Sequence, residues 1–224
     1  MKNYKDKAFS LVEISIVLVI IGLLAAGVTV GHKLIDQARE KSIIQKAESY
    51  RTAVAQFKLT YNTLPGDMKD ASSYWSACTD ESGNTCNGDN DGRIESTGDV
   101  SKEGYRAWQH LRLAKIIKGN FTGLGTSSVI GTNVPRTSFN GLCFNFHYWG
   151  ANGSRNGVAL GGINDTCTVQ AVTAQTAYNI DLKADDGDGF KGEINSNIAP
   201  CAPLGVYNLD ATGTPCYMHF STIN

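Results

Sequence analysis

The stretch that decides the fold is FSLVEISIVLVIIGLLAAGVTV, residues 9–30. It is apolar over a length that lets a helix cross a membrane, which takes about 20 residues. Its single charge is Glu13. A carboxylate at the centre of a membrane helix costs roughly 2.5–3.5 kcal/mol, so such residues are functional candidates that need a partner. Residues 9–30 are therefore predicted to form a transmembrane helix in which Glu13 has a specific role.

The residues before this stretch indicate its orientation. Residues 1–8 read MKNYKDKA and carry three lysines against one aspartate. Because basic flanks stay on the cytoplasmic side, this leader is predicted to be cytoplasmic and the rest of the chain exported. A secretory signal has a shorter apolar region that is followed by a small-residue cleavage site. Here the small-residue junction, Ala8–Phe9, precedes the apolar region.

The string KAFSLVEISIVLVIIGLLAAG, residues 7–27, resembles the N-terminus of type IV prepilins and type II secretion pseudopilins. The resemblance implies that a prepilin peptidase cuts between Ala8 and Phe9 and methylates the new amine of Phe9. It also implies that Glu13 pairs with the N-terminal amine of a neighbouring subunit during assembly. The chain departs from the family pattern by having Ala8 instead of the usual Gly and by lacking a late Pro in the apolar run. The alternative is an uncleaved single-span anchor.

The helical pattern continues beyond the apolar run. Apolar residues recur at three- and four-residue spacing, which predicts one buried face of a helix; they are Ile43, Ala47, Tyr50, Val54, Phe57 and Tyr61. Residues 31–61 are therefore predicted to continue the helix as an amphipathic segment that ends near Pro65 and Gly66, where Pro and Gly favour a turn. A helix over residues 9–61 would be about 80 Å long. We expect the stripe to pack on the chain's own head, because it is too short for the sustained heptads of a coiled coil, the competing interpretation.

Residues 62–224 have the size of one extracytoplasmic globular domain. Short apolar runs at residues 142–148, 157–160 and 168–172 are typical of strands between turns. Residues 102–117 are predicted to form a second helix with Gly119 as its C-cap. The expected fold class is α+β and pilin-like, with the long N-terminal helix packed on a small antiparallel sheet that has long disulfide-bearing loops. The segments LPGDM, GYRAWQHLRLAKIIKG and IDLKADDG of this domain are similar to prepilin-type proteins with large heads.

All six cysteines lie in the predicted head, at positions 78, 86, 143, 167, 201 and 216. An even number confined to the exported part indicates disulfides formed outside the cytoplasm. The count alone does not fix the pairing. We expect Cys78–Cys86 and Cys201–Cys216 as local loops, which leaves Cys143 with Cys167. Zinc is the alternative, but its usual Cys-x-x-Cys pair is absent and the four histidines are scattered.

The head contains a candidate calcium loop, NGDNDGRIE, at residues 87–95. Oxygen-bearing side chains alternate before a glycine and an apolar residue, as in the first half of an EF-hand loop. The predicted ligands are Asn87, Asp89, Asp91 and Glu95. The usual position of the bidentate Glu is occupied by Gly98, and Glu95, Asp99 or Glu103 would have to substitute. The alternative is a Gly-rich acidic surface turn without a metal.

A second acidic cluster has poorer spacing. It comprises Asp181, Asp185, Asp186, Asp188 and Glu193. Asp185, Asp186 and Asp188 are the expected ligands of a weaker cation site, with a solvated turn as the alternative.

Other functions find little support in the sequence. The chain lacks the motifs of serine hydrolases, zinc proteases, P-loop proteins and dinucleotide-binding proteins, so we do not expect an enzyme. The head has 11 basic against 16 acidic residues. This net negative charge does not provide the basic surface that contacts with phosphate groups require. We therefore expect no nucleic-acid partner.

Together these features predict a structural subunit of a type IV pilus-like filament or a type II secretion pseudopilus. The expected partners are other pilin or pseudopilin subunits, the prepilin peptidase and methylase, and inner-membrane lipid. The precursor is expected in the inner membrane of a bacterium, and the mature chain in a periplasmic or cell-surface filament. The alternative function is a membrane-tethered binding module, such as an adhesin, that never polymerises.

Overall fold

The computed structural model describes residues 10–76, 78, 85–95, 103–150, 155–164, 166–196 and 198–222. Ala8 and Phe9, the predicted cleavage site, lie outside these residues. The helices are α1 (Leu11–Tyr61), α2 (Ala71–Tyr74), α3 (Glu103–Leu113) and α4 (Ala174–Ala184). The strands are β1 (Leu142–Trp149), β2 (Arg155–Gly162), β3 (Ile194–Asn195) and β4 (Met218–Ser221).

Helix α1 is continuous from Leu11 to Tyr61, as the periodicity predicts. It ends where Asn62 adopts a positive φ of 55°, a left-handed conformation that Asn tolerates better than most residues. The chain divides after Arg39 into two compact units, so the helix contributes its apolar part to the first unit and its amphipathic part to the second.

The part of α1 in the first unit is apolar and exposed. Among the described residues, α1 contains the one segment that is long and apolar enough to cross a membrane, and none of that segment is buried. Fifteen large apolar side chains between Leu11 and Ile35 are at least half exposed. Such a continuous apolar surface is not typical of soluble proteins and marks contact with lipid or with other chains.

The second unit contains a four-stranded antiparallel sheet in the order β1-β2-β4-β3. Strands β1 and β2 pair over their whole length, from Leu142 opposite Gly162 to Trp149 opposite Arg155. Strand β4 lies between β2 and β3, with Gly157 opposite Ser221. A side chain at Gly157 would overlap the ring of His219, so only glycine permits this approach. The long helix, the small antiparallel sheet and the disulfide-bearing loops confirm the α+β class.

The amphipathic part of α1 forms one side of the core in this unit. Its buried residues include Ile43, Ala47, Val54 and Phe57, which belong to the predicted stripe. Tyr50 packs edge-on against Trp108 of α3 and Phe144 of β1, with ring centroids 4.7 Å and 5.4 Å apart. Trp108 also packs on Phe121 and Phe146. The stripe thus packs on α3 and the sheet rather than on a second coiled-coil strand.

Charged side chains of the same part of α1 also contact the rest of the unit. Glu40 is buried, pairs with the ammonium of Lys183 and accepts a hydrogen bond of 3.0 Å from Asn179 of α4. Arg51 forms ion pairs with Glu48, at 2.9 Å, and with Glu193.

The structure pairs Cys78 with Cys86, Cys143 with Cys167, and Cys201 with Cys216. These are the pairs expected from the sequence, and there is no free cysteine in the part of the chain that the structure describes. The Cys143–Cys167 bridge joins β1 to the loop that follows β2.

Several predicted boundaries in the head are wrong. Residues 168–172 are not a strand; they pair at two isolated points, Val169 with Gly162 and Val172 with Cys216. The positive φ of Cys167, 56°, interrupts extended backbone just before this segment.

Helix α3 ends at Leu113 rather than at residue 117, and Gly119 is not its C-cap. Lys115 takes the left-handed position, with a φ of 58°. Its N–H bonds to Arg112 O at 2.9 Å and that of Ile116 bonds to Leu111 O at 3.0 Å. These two bonds are a Schellman motif, which closes the helix without glycine.

Replacing Trp108 by Ala should reduce the free energy of unfolding by about 3–5 kcal/mol, the range for truncating a large buried aromatic residue. Trp108 is fully buried, and its Nε1 also donates to Asn145 Oδ1 at 3.2 Å. Denaturant unfolding followed by fluorescence tests this. The half-buried Trp149 is the matched control, and Trp149→Ala should cost clearly less. Equal losses in the two variants would contradict the core described above.

Candidate functional site

The first turn of α1 carries a hydrogen-bonded cap made by Ser10 and Glu13. Ser10 Oγ accepts from the backbone N–H of Val12 at 3.3 Å, and Glu13 Oε2 accepts from the backbone N–H of Ser10 at 2.9 Å. This reciprocal arrangement resembles a capping box, which satisfies N–H groups that a helix start leaves unpaired. The sequence interpretation missed Ser10, although the Ser-x-x-Glu spacing is a known signal. The Glu13 carboxylate is therefore directed back toward the start of the helix.

The exposed apolar surface of α1 begins at this cap. Leu11 and Val12 precede Glu13, and Ile14 follows it, all at least half exposed. Glu13 is thus the acidic group of a surface that is otherwise suited to lipid or to another apolar helix.

A second candidate site in the head is an acidic cluster of Asp67, Asp89 and Glu103. One carboxylate oxygen from each residue lies within 4.8 Å of the others. Asp67 lies in the turn that follows α1, Asp89 in the loop before α3, and Glu103 is the first described residue of α3. The cluster therefore joins three segments that are separated in the sequence.

Close backbone packing brings these three segments together. A side chain at Gly66 would overlap the backbone carbonyl of Glu103, and one at Gly88 would overlap the carbonyl of Gly66 and the backbone of Asp67. Gly88 N–H also donates to Met68 O at 2.8 Å. The two glycines are thus required where the backbones meet around the cluster.

Buried polar side chains from α3 and β2 hold the same segments. His110 Nδ1 accepts from Gly66 N–H at 2.9 Å, so its Nε2 carries the proton and donates to Cys86 O at 3.1 Å. Burial lowers the pKa of His110 to about 4, which keeps the ring neutral. Asn156 donates to Gly92 O at 2.9 Å and accepts from Ile94 N–H at 2.8 Å. The loop that carries Asp89 is therefore fixed at both ends.

The carboxyl groups of this cluster are poorly hydrated. Glu103 is fully buried and Asp67 is 2% exposed. Burial raises the pKa of Glu103 to about 8, with further increases from the neighbouring Asp67 and Glu95 carboxyls. Burial also raises the pKa of Asp67 to about 6, helped by the charges of Asp91 and Asp89. The surroundings thus disfavour the charged forms in the absence of a positive partner.

Backbone N–H groups satisfy most of the oxygens in the cluster. Glu103 accepts from Asp89 N–H at 3.2 Å and from Glu95 N–H at 3.3 Å, and Asp67 Oδ2 accepts from Gly92 N–H at 3.1 Å. The other oxygen, Asp67 Oδ1, is buried and has no hydrogen-bond partner among the described residues, and the same is true of Glu95 Oε2.

The predicted calcium ligands occupy different surroundings. Asp89 lies in the cluster, and the Glu95 carboxyl neighbours Glu103. Asn87 Oδ1 accepts from the backbone N–H of Ser72 at 2.9 Å, and the exposed Asp91 lies 3.7 Å from the guanidinium of Arg93. The sequence interpretation missed Asp67, which lies in the LPGDM segment far upstream of the loop.

The second acidic cluster brings together Asp181, Asp185 and Asp186. Asp181 is buried, and its oxygens accept from Tyr207 Oη at 2.7 Å and Gly187 N–H at 3.2 Å. Asp185 Oδ2 accepts from the N–H groups of Glu193 and Ile194. Asp188, the third predicted ligand, pairs with Lys191 at 2.7 Å. Hydrogen bonds within the protein thus occupy these carboxylates.

Cys78, Cys86 and His110 also lie close together. The two sulfurs are joined as a disulfide, and both nitrogens of His110 are engaged by backbone groups. The group therefore offers no thiolate ligand for zinc.

Comparison with protein families gives one match. Residues 3–29 match the family model described as the prokaryotic N-terminal methylation motif. Comparisons with the curated proteins and with the solved structures gave no match. The match supports the resemblance of the N-terminal segment to type IV pilins and pseudopilins. The motif and the apolar helix that it overlaps fit a membrane-anchored precursor.

In the presence of a chelator, the free energy of unfolding should fall by about 1 kcal/mol between pH 7 and pH 8. Glu103 holds its proton in the folded state up to a pKa of about 8, against an ordinary value of 4.5, so the folded state binds more protons over this range. Raising the pH therefore destabilises it. The lowered pKa values of His110 and His219, about 4 and 3, act in the opposite direction but only below their unfolded value of 6.5.

Denaturant titrations at the two pH values measure this difference. The Glu103→Gln variant should lose the decrease, and Asp70→Asn, which changes an exposed carboxylate three positions from Asp67, should keep it. A wild-type stability that stays constant or rises over the range would contradict the buried, protonated state of Glu103.

Proposed function

We propose that this chain, whose N-terminal segment is that of type IV pilins and pseudopilins, is a structural subunit of a pilus-like filament or secretion pseudopilus. The observation that carries the proposal is the overlap of the methylation motif with the exposed apolar segment of a long helix. Prepilin peptidase would remove residues 1–8 and methylate the amine of Phe9. The mature subunits would then assemble through residues 9–30.

The exposed apolar surface supports assembly because it must be shielded from water both in the precursor and in the mature chain. In the precursor, lipid surrounds the helix and hides its apolar side chains. A subunit that leaves the bilayer must bury the same side chains against apolar helices of other subunits, since burial contributes about 25 cal/mol per Å². Assembly of like helices satisfies this requirement without a separate carrier.

Glu13 would provide the polar contact in this assembly. In the uncleaved chain it accepts the N–H of Ser10. Cleavage before Phe9 would create a positively charged amine at the residue that precedes Ser10. An unpaired carboxylate between packed apolar helices is strongly penalised, whereas a paired one is tolerated. We infer that Glu13 pairs with the amine of a neighbouring subunit and so fixes the register of the helices.

Replacing Glu13 by Gln should leave membrane insertion intact and reduce incorporation into filaments at least tenfold. Gln keeps the size and hydrogen-bonding capacity of Glu but removes the charge that the amine needs. The measurement is the amount of chain in sheared filaments relative to the amount in membranes, in cells that contain the prepilin peptidase.

Asp36→Asn is the matched control, because it removes an exposed carboxylate of the same helix that pairs with Arg39 at 3.5 Å. It should assemble like the wild type. If Glu13→Gln also assembles normally, the proposed pairing is wrong. If the wild-type chain stays in membranes as a tethered binding module, the filament function itself is wrong.

A further inference from the structure

Asp67 Oδ1 is a buried carboxylate oxygen that forms no hydrogen bond with the described residues. Asp67 is 2% exposed, and its other oxygen, Oδ2, accepts from Gly92 N–H. More than about 90% of buried polar groups have a partner, because an unsatisfied one costs roughly 1–3 kcal/mol and a charged one costs more. The same residue contributes to the cluster with Asp89 and Glu103. An unsatisfied oxygen on a carboxylate that clusters with two others indicates a missing positive ligand.

The surroundings of Asp67 contain a further unsatisfied oxygen. Thr63 Oγ1 is also buried without a partner among the described residues. Thr63 and Asp67 line one cleft, together with Lys58, Asn90, Gly92 and Asn156, whereas Asp89 and Glu103 are not part of its lining. Asn156 is held in this cleft by its two hydrogen bonds to the loop of residues 92–94. The cleft thus presents oxygen donors on segments that the fold already holds in place.

We propose that Asp67, Asp89 and Glu103 bind a divalent cation, and that this cation is Ca²⁺. All the donors are oxygens, which suit hard cations rather than zinc or copper. Two oxygens at 2.3–2.6 Å from one Ca²⁺ lie up to about 5 Å apart, which matches carboxylates that lie within 4.8 Å of one another. Mg²⁺ fits less well because it demands a near-ideal octahedron of closer ligands.

This ligand set differs from the loop predicted from sequence, with which it shares Asp89. Glu95 would be an additional ligand, because its Oε2 is buried and unsatisfied beside Glu103. The cation would join the turn after α1 to the loop before α3 and to α3 itself. It would therefore connect the end of the long helix to the head at a point where the backbones already pack closely.

The second acidic cluster does not qualify in the same way. Its described carboxylates include no buried oxygen without a hydrogen-bond partner, in contrast to Asp67 Oδ1. Asp188 pairs with a lysine. It provides a control, because Asp186 lies in that cluster and is exposed.

The test is calcium titration of the full-length chain in detergent micelles by isothermal titration calorimetry, after removal of metal with a chelator. We expect one Ca²⁺ per chain, with a dissociation constant of about 10⁻⁴–10⁻³ M, as in other extracellular modules. Asp67→Asn and Glu103→Gln should each weaken binding at least tenfold. Asp70→Asn and Asp186→Asn should bind like the wild type.

A denaturation series with calcium or with chelator separates loss of a ligand from loss of folding. Calcium should raise the unfolding midpoint of the wild type but not that of Asp67→Asn. In chelator, Asp67→Asn should be at least as stable as the wild type, because it removes a buried charge.

The proposal is overturned if the wild type does not bind Ca²⁺ at concentrations up to 10 mM (about ten times the weakest expected dissociation constant), or if Asp186→Asn rather than Asp67→Asn abolishes binding. It does not depend on filament assembly, since binding is measured on the isolated subunit.

Discussion

Helix α1 carries two apolar surfaces that need different covers, and this requirement governs the rest of the molecule. Residues 43–57 are covered by α3 and the sheet, where Tyr50 and Phe57 meet the aromatic residues of the head. Residues 11–35 expose fifteen large apolar side chains among the residues that the structure describes. The fold buries the first surface but leaves the second exposed. The second surface therefore needs a bilayer or other copies of the helix to shield it from water. The match to the methylation motif covers residues 3–29 and so includes residues 11–29 of that surface.

Carboxylates in poorly hydrated positions recur in this chain, and each position favours a positive partner. Glu40 is buried in the head and pairs with Lys183. Glu13 lies within the apolar surface, and we assign its partner to the amine that cleavage would create. Asp67 and Glu103 are buried together, and we assign theirs to a calcium ion. The physical reason is the same in the three cases, because a charge removed from water needs an opposite charge or hydrogen bonds to replace the lost hydration.

Sequence periodicity predicted α1 over its full length, because a stripe of apolar residues at helical spacing leaves little choice of structure. It also located β1 and β2, whose apolar runs are long. The two-residue strand β3, the four-residue strand β4 and helix α4 were missed, since short elements carry weak patterns and α4 is marked mainly by the Thr173 cap. The left-handed Lys115 that ends α3 has no sequence signal. Asp67 was missed because its neighbours in the cluster come from distant segments, which only the folded chain brings together.

The central claim is that the chain is processed at its N-terminus and then assembles through the helix that begins there. Mass spectrometry of the N-terminal peptide, from protein purified out of its native membranes or filaments, tests this most directly. The account predicts a mature chain that begins at Phe9 with a methylated amine. A chain that still begins at Met1, or one that is cut after the apolar run, would contradict it and would leave Glu13 without the partner proposed above.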